Sequence, residues 1–389
     1  MYFQDEIEKW ITSSPDQKID WAKMDASCLG YFFPKMREIP QNPEFHGEGD
    51  VYCHTQMVCE ELVRMPEFEN LPQIQKTALF VAAVFHDAGK IRTTKMEEGK
   101  WVSPHHSSVG SQMLREYLWK TCGLCGNREA MAFRELICML VRYHMLPTHL
   151  LDLEDGIRKA REVASCGELI PGFSWKLLCL LSEADIRGRI ASDTKELLEK
   201  VELSRVLAEE AGCLEEPYRF YDSYTKYAYL SGKNIAPDQP LYNSSWGEVI
   251  LVCGLPGTGK DTWIKNVLPE YPMVSLDDIR MEMRIKPTEN QGLVIQKAQE
   301  YAKEYLRKHQ PFVWNATNVT RNLRQKQIRL FQRYGAALRI VYLETDWNTQ
   351  IERNSSREAE VPLTAIEKML GKTVPPSPEE AMRVEWICI

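Results

Sequence analysis

The chain has 389 residues, 44% apolar and 26% charged, with a net charge of −7. This is the composition of an ordinary globular protein of two or three domains. No apolar run approaches the roughly 18 residues a membrane helix needs, so no membrane partner is expected. The acidic balance, with a pI near 5.8, counts against a protein whose affinity rests on wrapping many nucleic-acid phosphates.

The N-terminal stretch "MYFQDEIEKWITSSPDQ" carries acidic residues and no apolar h-region, so no secretion signal is expected. Eleven cysteines are scattered without framework spacing. They read as reduced thiols in a cytoplasmic protein.

Residues 1 to about 210 are dominated by helical periodicity. "VYCHTQMVCEELVRM", "IQKTALFVAAVFHDAG", "REAMAFRELICMLVRYH" and "SWKLLCLLSEADIRGR" repeat apolar residues every three or four positions, and no strand alternation is convincing there. Seven of the eight histidines lie between residues 46 and 149. His54 falls on the first of these helices, and the pair His86-Asp87 ends the second. Ser103-Pro104 reads as an N-cap and first helical position, placing His105 and His106 in the first turn of the next helix. His144 ends "LICMLVRYH", and Asp185 lies late in "WKLLCLLSEAD". Imidazoles and carboxylates projecting from several helices of one bundle build a metal site in its core. The mixed N/O donor set suits manganese, iron, nickel, cobalt, copper or zinc. Two such ions bridged by a carboxylate would activate water and hold a phosphate. His46 and His149 are expected outside this cluster, and "CGLC" at 122–125 is expected to be a turn.

The ordered pattern of His54, "HDAGK", "HHSSVG", His144 and Asp185 resembles the HD-domain phosphohydrolase superfamily over residues 40 to 200. The resemblance implies that His54, His86, Asp87 and Asp185 hold a first metal. It further implies that His106 and His144 hold a second, with Asp87 bridging. Lys90 would then lie near the substrate phosphate, and His106 rather than His105 is implied as the ligand because it precedes Ser107 and Gly110.

Residues 213 to 247 are rich in Tyr, Pro, Asn and Ser. They read as an aromatic-rich linker that docks on a domain, because its aromatics would be costly to leave in water. Beyond it the pattern changes. "EVILVCG", "PMVSLD", "PFVWNAT" and "ALRIVYLE" are short β-rich runs, and helical stretches at 259–267, 291–309 and 320–334 lie between them. Strands alternating with helices imply a parallel α/β sheet.

"GLPGTGKDT" joins the first of those strands to the first helix. Gly254 followed by Gly259-Lys260 has the spacing of a phosphate-binding loop, with Gly257 and Thr258 inside it. Lys260 would meet the β- and γ-phosphates of ATP or another nucleoside triphosphate, and the helix N-terminus adds its dipole. The next residue is ordinarily Ser or Thr, but here it is Asp261. A carboxylate can still hold magnesium, and Thr262 offers an alternative hydroxyl. Asp277 and Arg280 project together after the second strand, where ligands of such sheets sit. They suit proton removal from an attacking hydroxyl and the gripping of an acceptor phosphate. A plain helix cap by Asp277 is the competing reading. Asn315, Thr317 and Asn318 are polar side chains at the same sheet edge. Arg353 and Arg357 are four residues apart, on one helical face.

These residues resemble the 5′-polynucleotide kinase branch of the phosphate-loop kinases over 245 to 370, with Asp261 departing from the pattern. The resemblance implies that Asp277 is the general base, that Arg280 holds a terminal 3′-phosphate, and that Arg353 and Arg357 are lid arginines. Arg357 would stabilise the transition state. The order of the modules resembles the bacterial HD-domain polynucleotide kinases that heal RNA ends. The expected architecture is an HD-type helical bundle (1–212), a linker (213–247) and a phosphate-loop kinase with a parallel sheet flanked by helices (248–389). The expected partners are RNA or DNA ends and a downstream RNA ligase. Two rival readings remain: a nucleotide-metabolism enzyme acting on small substrates, and a regulatory ATP sensor with an inert HD half.

Overall fold

The structure is a computed structural model in which residues 7, 19–285, 289, 291–357 and 360–389 are described. The N-terminal stretch read for a secretion signal, Ile7 apart, and Glu358 of the arginine run lie outside the described residues. The chain divides into two compact units, Met1–Leu124 with Met131–Tyr218, and Cys125–Ala130 with Arg219–Ile389. No helix among the described residues is long and apolar enough to cross a membrane.

The longer helices of the first unit are α1 (Val51–Arg64), α2 (Gln73–Phe85), α3 (His106–Lys120), α4 (Arg128–Tyr143, which belongs to this unit from Met131 onward), α5 (Gly156–Ala164), α6 (Trp175–Arg187) and α7 (Thr194–Glu210). Local chemistry sets where they start. Asp50 caps α1 by accepting from the Cys53 N–H at 2.8 Å, and Ser174 caps α6. Helix α2 is buried on every side from Thr77 to Phe85, as a central helix requires. Helix α6 packs against α1, α2 and α7. That packing faces Asp185 toward the helices that carry His54 and His86.

Two expectations are corrected here. A two-stranded antiparallel hairpin, β1 (Lys95–Glu97) and β2 (Lys100–Val102), occupies a region read as purely helical. Its strands are three residues each, too short for alternation to register. Ser103-Pro104 does not start α3 either. The cap position is His105, held at a left-handed φ of 57°, and the helix begins at His106.

A buried charge group lies in the core of this unit. Glu135 accepts from Arg115 Nε at 2.8 Å and Nη2 at 2.7 Å, and from Arg134 Nε at 2.9 Å. All three residues are buried. Glu135→Ala should therefore cost about 3–5 kcal/mol of unfolding free energy, because two guanidiniums lose their carboxylate in the core. Chemical denaturation would measure it, and a loss under about 1 kcal/mol, the scale of an exposed pair, would refute the account.

The second unit begins with α8 (Ser223–Leu230), inside the aromatic-rich segment. Its Tyr227 hydroxyl accepts a hydrogen bond from Gln332, and Thr225, Ala228, Tyr229 and Leu230 are buried. The sheet contains β3 (Glu248–Cys253), β4 (Met273–Ser275), β5 (Phe312–Asn315), β6 (Ala337–Glu344) and β7 (Arg383–Cys388). All pairs are parallel, in the order β4-β5-β3-β6-β7. Strand β7 was not read from the sequence. The helices are α9 (Lys260–Val267), α10 (Leu276–Met283), α11 (Gln291–Arg307), α12 (Arg321–Arg333), α13 (Trp347–Ser355) and α14 (Leu363–Leu370). Strand β3 is buried from Val249 to Cys253 because neighbours cover both faces. Its side chains Ile250 and Val252 pack with Trp263, Ile264 and Leu268 of the α9 segment. That contact seats α9 behind the central strand and leaves the loop between them at the sheet's carboxyl edge, where ligands of such sheets bind.

Candidate functional site

In the first unit, four histidines and two aspartates converge. His54 Nε2 lies 3.3 Å from His86 Nε2, and His106 Nε2 lies 3.4 Å from His144 Nε2. Asp87 stands between the pairs. Its Oδ1 is 3.3 Å from His106 Nε2, and its Oδ2 is 3.4 Å from His86 and 3.7 Å from His54. Asp185 Oδ1 is 3.0 Å from His54 Nε2. The structure thus brings together all six residues, with His54, His86 and Asp87 forming one group of donors and Asp87, His106 and His144 another. His105 is not among these donor groups. His149 is exposed beside Asp152.

Close packing of backbone makes the convergence possible. A Cβ on Gly89 would stand 2.0 Å from the His106 carbonyl oxygen and 2.6 Å from Gly110 N. Glycine at 89 lets the turn after His86-Asp87 lie directly on the first turn of α3, which puts Asp87 within reach of His106.

The donor set fits divalent metal ions. Three of the histidines present Nδ1 to a backbone carbonyl: His86 to Ala83 at 2.8 Å, His106 to Ser103 at 2.9 Å and His144 to Val141 at 2.7 Å. His54 Nδ1 faces the Glu48 carboxylate at 2.9 Å and the Gly188 carbonyl at 3.2 Å. Each Nδ1 is therefore the donor, and each Nε2 lone pair points inward, the usual second-sphere arrangement of ligating histidines. Without a metal cation the carboxylates draw a proton onto His54, whose Nε2 lies 3.0 Å from Asp185 Oδ1, while the other inward lone pairs crowd the buried Asp87.

Protons report the same strain in the metal-free chain. Burial would lower the His54 pKa, but hydrogen bonds to Asp185 and Glu48 overcome it and raise the value to about 9. His144 is pushed down to about 3 by burial and by His86 and His106. The His54 contribution to stability is complete below the unfolded pKa of ~6.5 and is lost as pH rises through about 9. His144 acts oppositely, because the unfolded chain takes a proton that the folded site refuses as pH falls from ~6.5 toward 3. Melting in EDTA across this range should show maximal stability near pH 6 to 7, with losses on both sides. A monotonic profile would contradict the assignment.

A cleft of about 460 Å³ opens onto this cluster, lined by Asp87, His106 and Asp185. Lys90 and Arg189 also line it, and so do Phe45 and Trp101. Lys90 Nζ donates to Asp87 at 2.7 Å and to Gln41 Oε1 at 2.6 Å, fixing its position beside the carboxylate that stands between the histidine pairs. Gln41 and Glu48 were missed in the sequence, where a single Gln or Glu carries no signal. His46 was placed outside the cluster, but its Nδ1 is 2.8 Å from Glu48 and its ring is 4.8 Å from that of His54. With Glu48 and His54 it forms a third group of donors.

In the second unit, Gly257 and Gly259 take left-handed φ values of 83° and 84°. A Cβ on Gly257 would stand 2.4 Å from the Gln350 carbonyl oxygen, and Gln350 Nε2 donates to the Pro256 carbonyl at 3.0 Å. Helix α13 therefore clamps the loop. Lys260 Nζ folds onto the carbonyls of Gly254 (3.0 Å) and Leu255 (2.9 Å). Burial lowers its pKa to about 8, against the pull of Asp261 and Asp277. Asp261 does not cap α9, whose cap position is Gly259. Its carboxylate accepts from Asn315 Nδ2 at 2.5 Å.

Ser275, not Asp277, caps α10. The Asp277 carboxylate is thus open to Arg280, which contacts Oδ1, and to Arg357, whose Nη2 lies 3.1 Å from Oδ2. Burial alone would raise the Asp277 pKa, but Arg280, Lys260 and Arg357 hold it below the usual carboxylate range. A cleft of about 600 Å³ is lined by Gly257, Gly259, Lys260, Asp261, Thr262, Asp277, Arg353 and Arg357. The expectation of one helical face for the two arginines is corrected. Helix α13 ends at Ser355, so Arg357 leaves the helix and turns to Asp277. Gly254, Thr258, Arg280, Asn315, Thr317 and Asn318 do not line that cleft. Arg280 Nε donates to Gln291 at 2.7 Å, the Thr317 carbonyl accepts from Gly254 N at 2.9 Å, and Asn318 donates to the Val252 carbonyl at 3.3 Å.

Residues 51–163 match the HD domain family, and residues 249–376 match the AAA domain family. Two proteins named Multifunctional CCA protein are similar to this chain. The one from Hahella chejuensis (strain KCTC 2396) is 28% identical over 175 residues, and the one from Xanthomonas euvesicatoria pv. vesicatoria (strain 85-10) is 29% identical over 174 residues. The alignments cover 44% and 43% of this chain but only 37% and 38% of those proteins, less than two-fifths of their length. Together the HD domain and the kinase-like phosphate-loop domain support an enzyme with phosphohydrolase and kinase chemistry.

Proposed function

We propose that the chain is a bifunctional enzyme that heals nucleic-acid (RNA) ends. One half phosphorylates 5′-hydroxyls from ATP and magnesium. The other removes a 2′,3′-cyclic phosphate, a 3′-phosphate or a 2′-phosphate. The observation that carries the reading is the presence, on one chain, of two complementary sites. One is the Asp87-centred donor cluster with Lys90 on its rim. The other is a phosphate loop facing a carboxylate held by two arginines.

Bound divalent ions would supply an acidified water and polarise the phosphoryl oxygens. The chain's own residues do the rest. Lys90 offsets phosphate charge next to Asp87, and the ligating histidines are held in one tautomer by their carbonyl partners. In the other half, Asp277 takes the proton of the attacking 5′-hydroxyl, Lys260 meets the β- and γ-phosphates, and Arg357 offsets charge on the transferring group. Breakage of RNA by transesterification leaves the two end types on which these sites would act, and a ligase acting afterwards would join the products.

A second reading keeps the chemistry and changes the substrate. Both clefts are of mononucleotide scale, and the chain is acidic, so free nucleotides and a small alcohol are the alternative substrates. One RNA oligonucleotide with 5′-OH and 3′-phosphate, incubated with ATP, magnesium and manganese, decides between them. Conversion of both ends supports end healing. Inert ends together with turnover of mononucleotides establish the second reading.

A further inference from the structure

We propose that the cation site of the phosphate-loop half is built with its two side chains exchanged: Asp261 supplies the carboxylate from α9, and Asn315 the neutral oxygen from β5. The inference rests on the loop binding a nucleoside triphosphate.

In phosphate-loop enzymes magnesium is ordinarily held by the Ser or Thr after the loop lysine and by an aspartate outside the loop. This chain has a carboxylate at the first of those positions. The neighbouring strand supplies the second position. Strand β5 pairs directly with β3, with Asn315 in register with Val252, so Asn315 ends its strand beside the start of the loop. Its Nδ2 donates to Asp261 Oδ1 at 2.5 Å. Asn315 is only 5% exposed, and its Oδ1 has no hydrogen-bond donor among the described residues. A buried acceptor without a donor fits a cation or a water bound to one.

The exchange preserves the chemistry of the pair, which remains one carboxylate and one neutral oxygen. Two carboxylates in this contact would repel, so Asp261 is compatible with an amide at 315 and not with an acid. The amide also holds Oδ1 of Asp261 in place. The carboxylate is thereby oriented at the cleft wall that Lys260 shares.

The test is a double-mutant cycle on the full-length protein: wild type, Asp261→Thr, Asn315→Asp, and the two together. The readout is binding. ATP affinity is measured by calorimetry with magnesium and with EDTA, and manganese binding in the presence of ATP by electron paramagnetic resonance. Wild type should bind ATP more tightly with magnesium. Asp261→Thr should lose that magnesium dependence by more than about tenfold. Asn315→Asp should lower the melting temperature of the metal-free protein. The double variant should recover the magnesium dependence to within about threefold of wild type, a coupling that independent positions do not show. Full magnesium dependence in Asp261→Thr, or a double variant no better than its worse parent although folded by circular dichroism, overturns the exchange. Absence of ATP binding by wild type in both conditions overturns the nucleotide reading and the exchange with it.

Discussion

Asp87→Ala should lower phosphate release from a 3′-phosphate RNA oligonucleotide by about 10³-fold or more, since a carboxylate that would hold metal ions from both donor groups would underlie several kcal/mol of transition-state stabilisation. The same protein should keep its 5′-kinase rate to within about twofold, as expected for independent sites. Asp87 is shared by the His54–His86 and His106–His144 donor groups, and its two oxygens face different histidine pairs. Its loss leaves Lys90 with only Gln41 among the partners described above and removes the carboxylate between the pairs. Metal content per chain, measured by mass spectrometry of the purified protein, should fall in parallel. Retention of both metal and hydrolysis would sink the bridging role.

Lys260→Ala should cost the kinase roughly 10²–10³-fold, the scale of one preorganised donor to transferring phosphoryl oxygens. Hydrolysis at the other site should be unaffected. A pH signature separates this role from a structural one. In the nucleotide-free loop, burial brings the Lys260 ammonium down to about 8, so the side chain is charged below that pH and neutral above it. Its attraction for ATP is complete at pH 7 and fades as pH rises through about 8. Wild-type ATP affinity should weaken over that range, and Lys260→Ala should be weak and flat. A wild-type affinity independent of pH from 7 to 9 would count against Lys260 as the phosphate contact.

Much of this was legible without coordinates, for a reason that differs between the halves. The phosphate loop is local. Strand, glycines, lysine and helix are contiguous, and the chemistry of phosphate binding dictates their spacing. Histidine is rare in this chain, so its placement on successive apolar helices stood out. Short elements were not legible. The β1–β2 hairpin has strands of three residues, and β7 is a single short strand that was missed although Pro375-Pro376 and Ser377-Pro378 mark a turn before it. The reading of α3 failed at its start because Ser-Pro is a common cap. His105 adopts a left-handed conformation that residue type alone does not require.

By itself, the sequence pointed to most of the side chains that the structure gathers in the two clefts, and for most of them to the kind of element each rides on. Apolar period and glycine spacing are properties of neighbouring residues. Tertiary structure decided the pairings. Gly89 meeting Gly110 put Asp87 between two histidine pairs, α6 packing delivered Asp185 to His54, and β5 beside β3 joined Asn315 to Asp261. Those partners lie 54 to 131 residues apart for the two direct contacts. Contacts at such separation depend on how helices and strands pack, which no local pattern encodes.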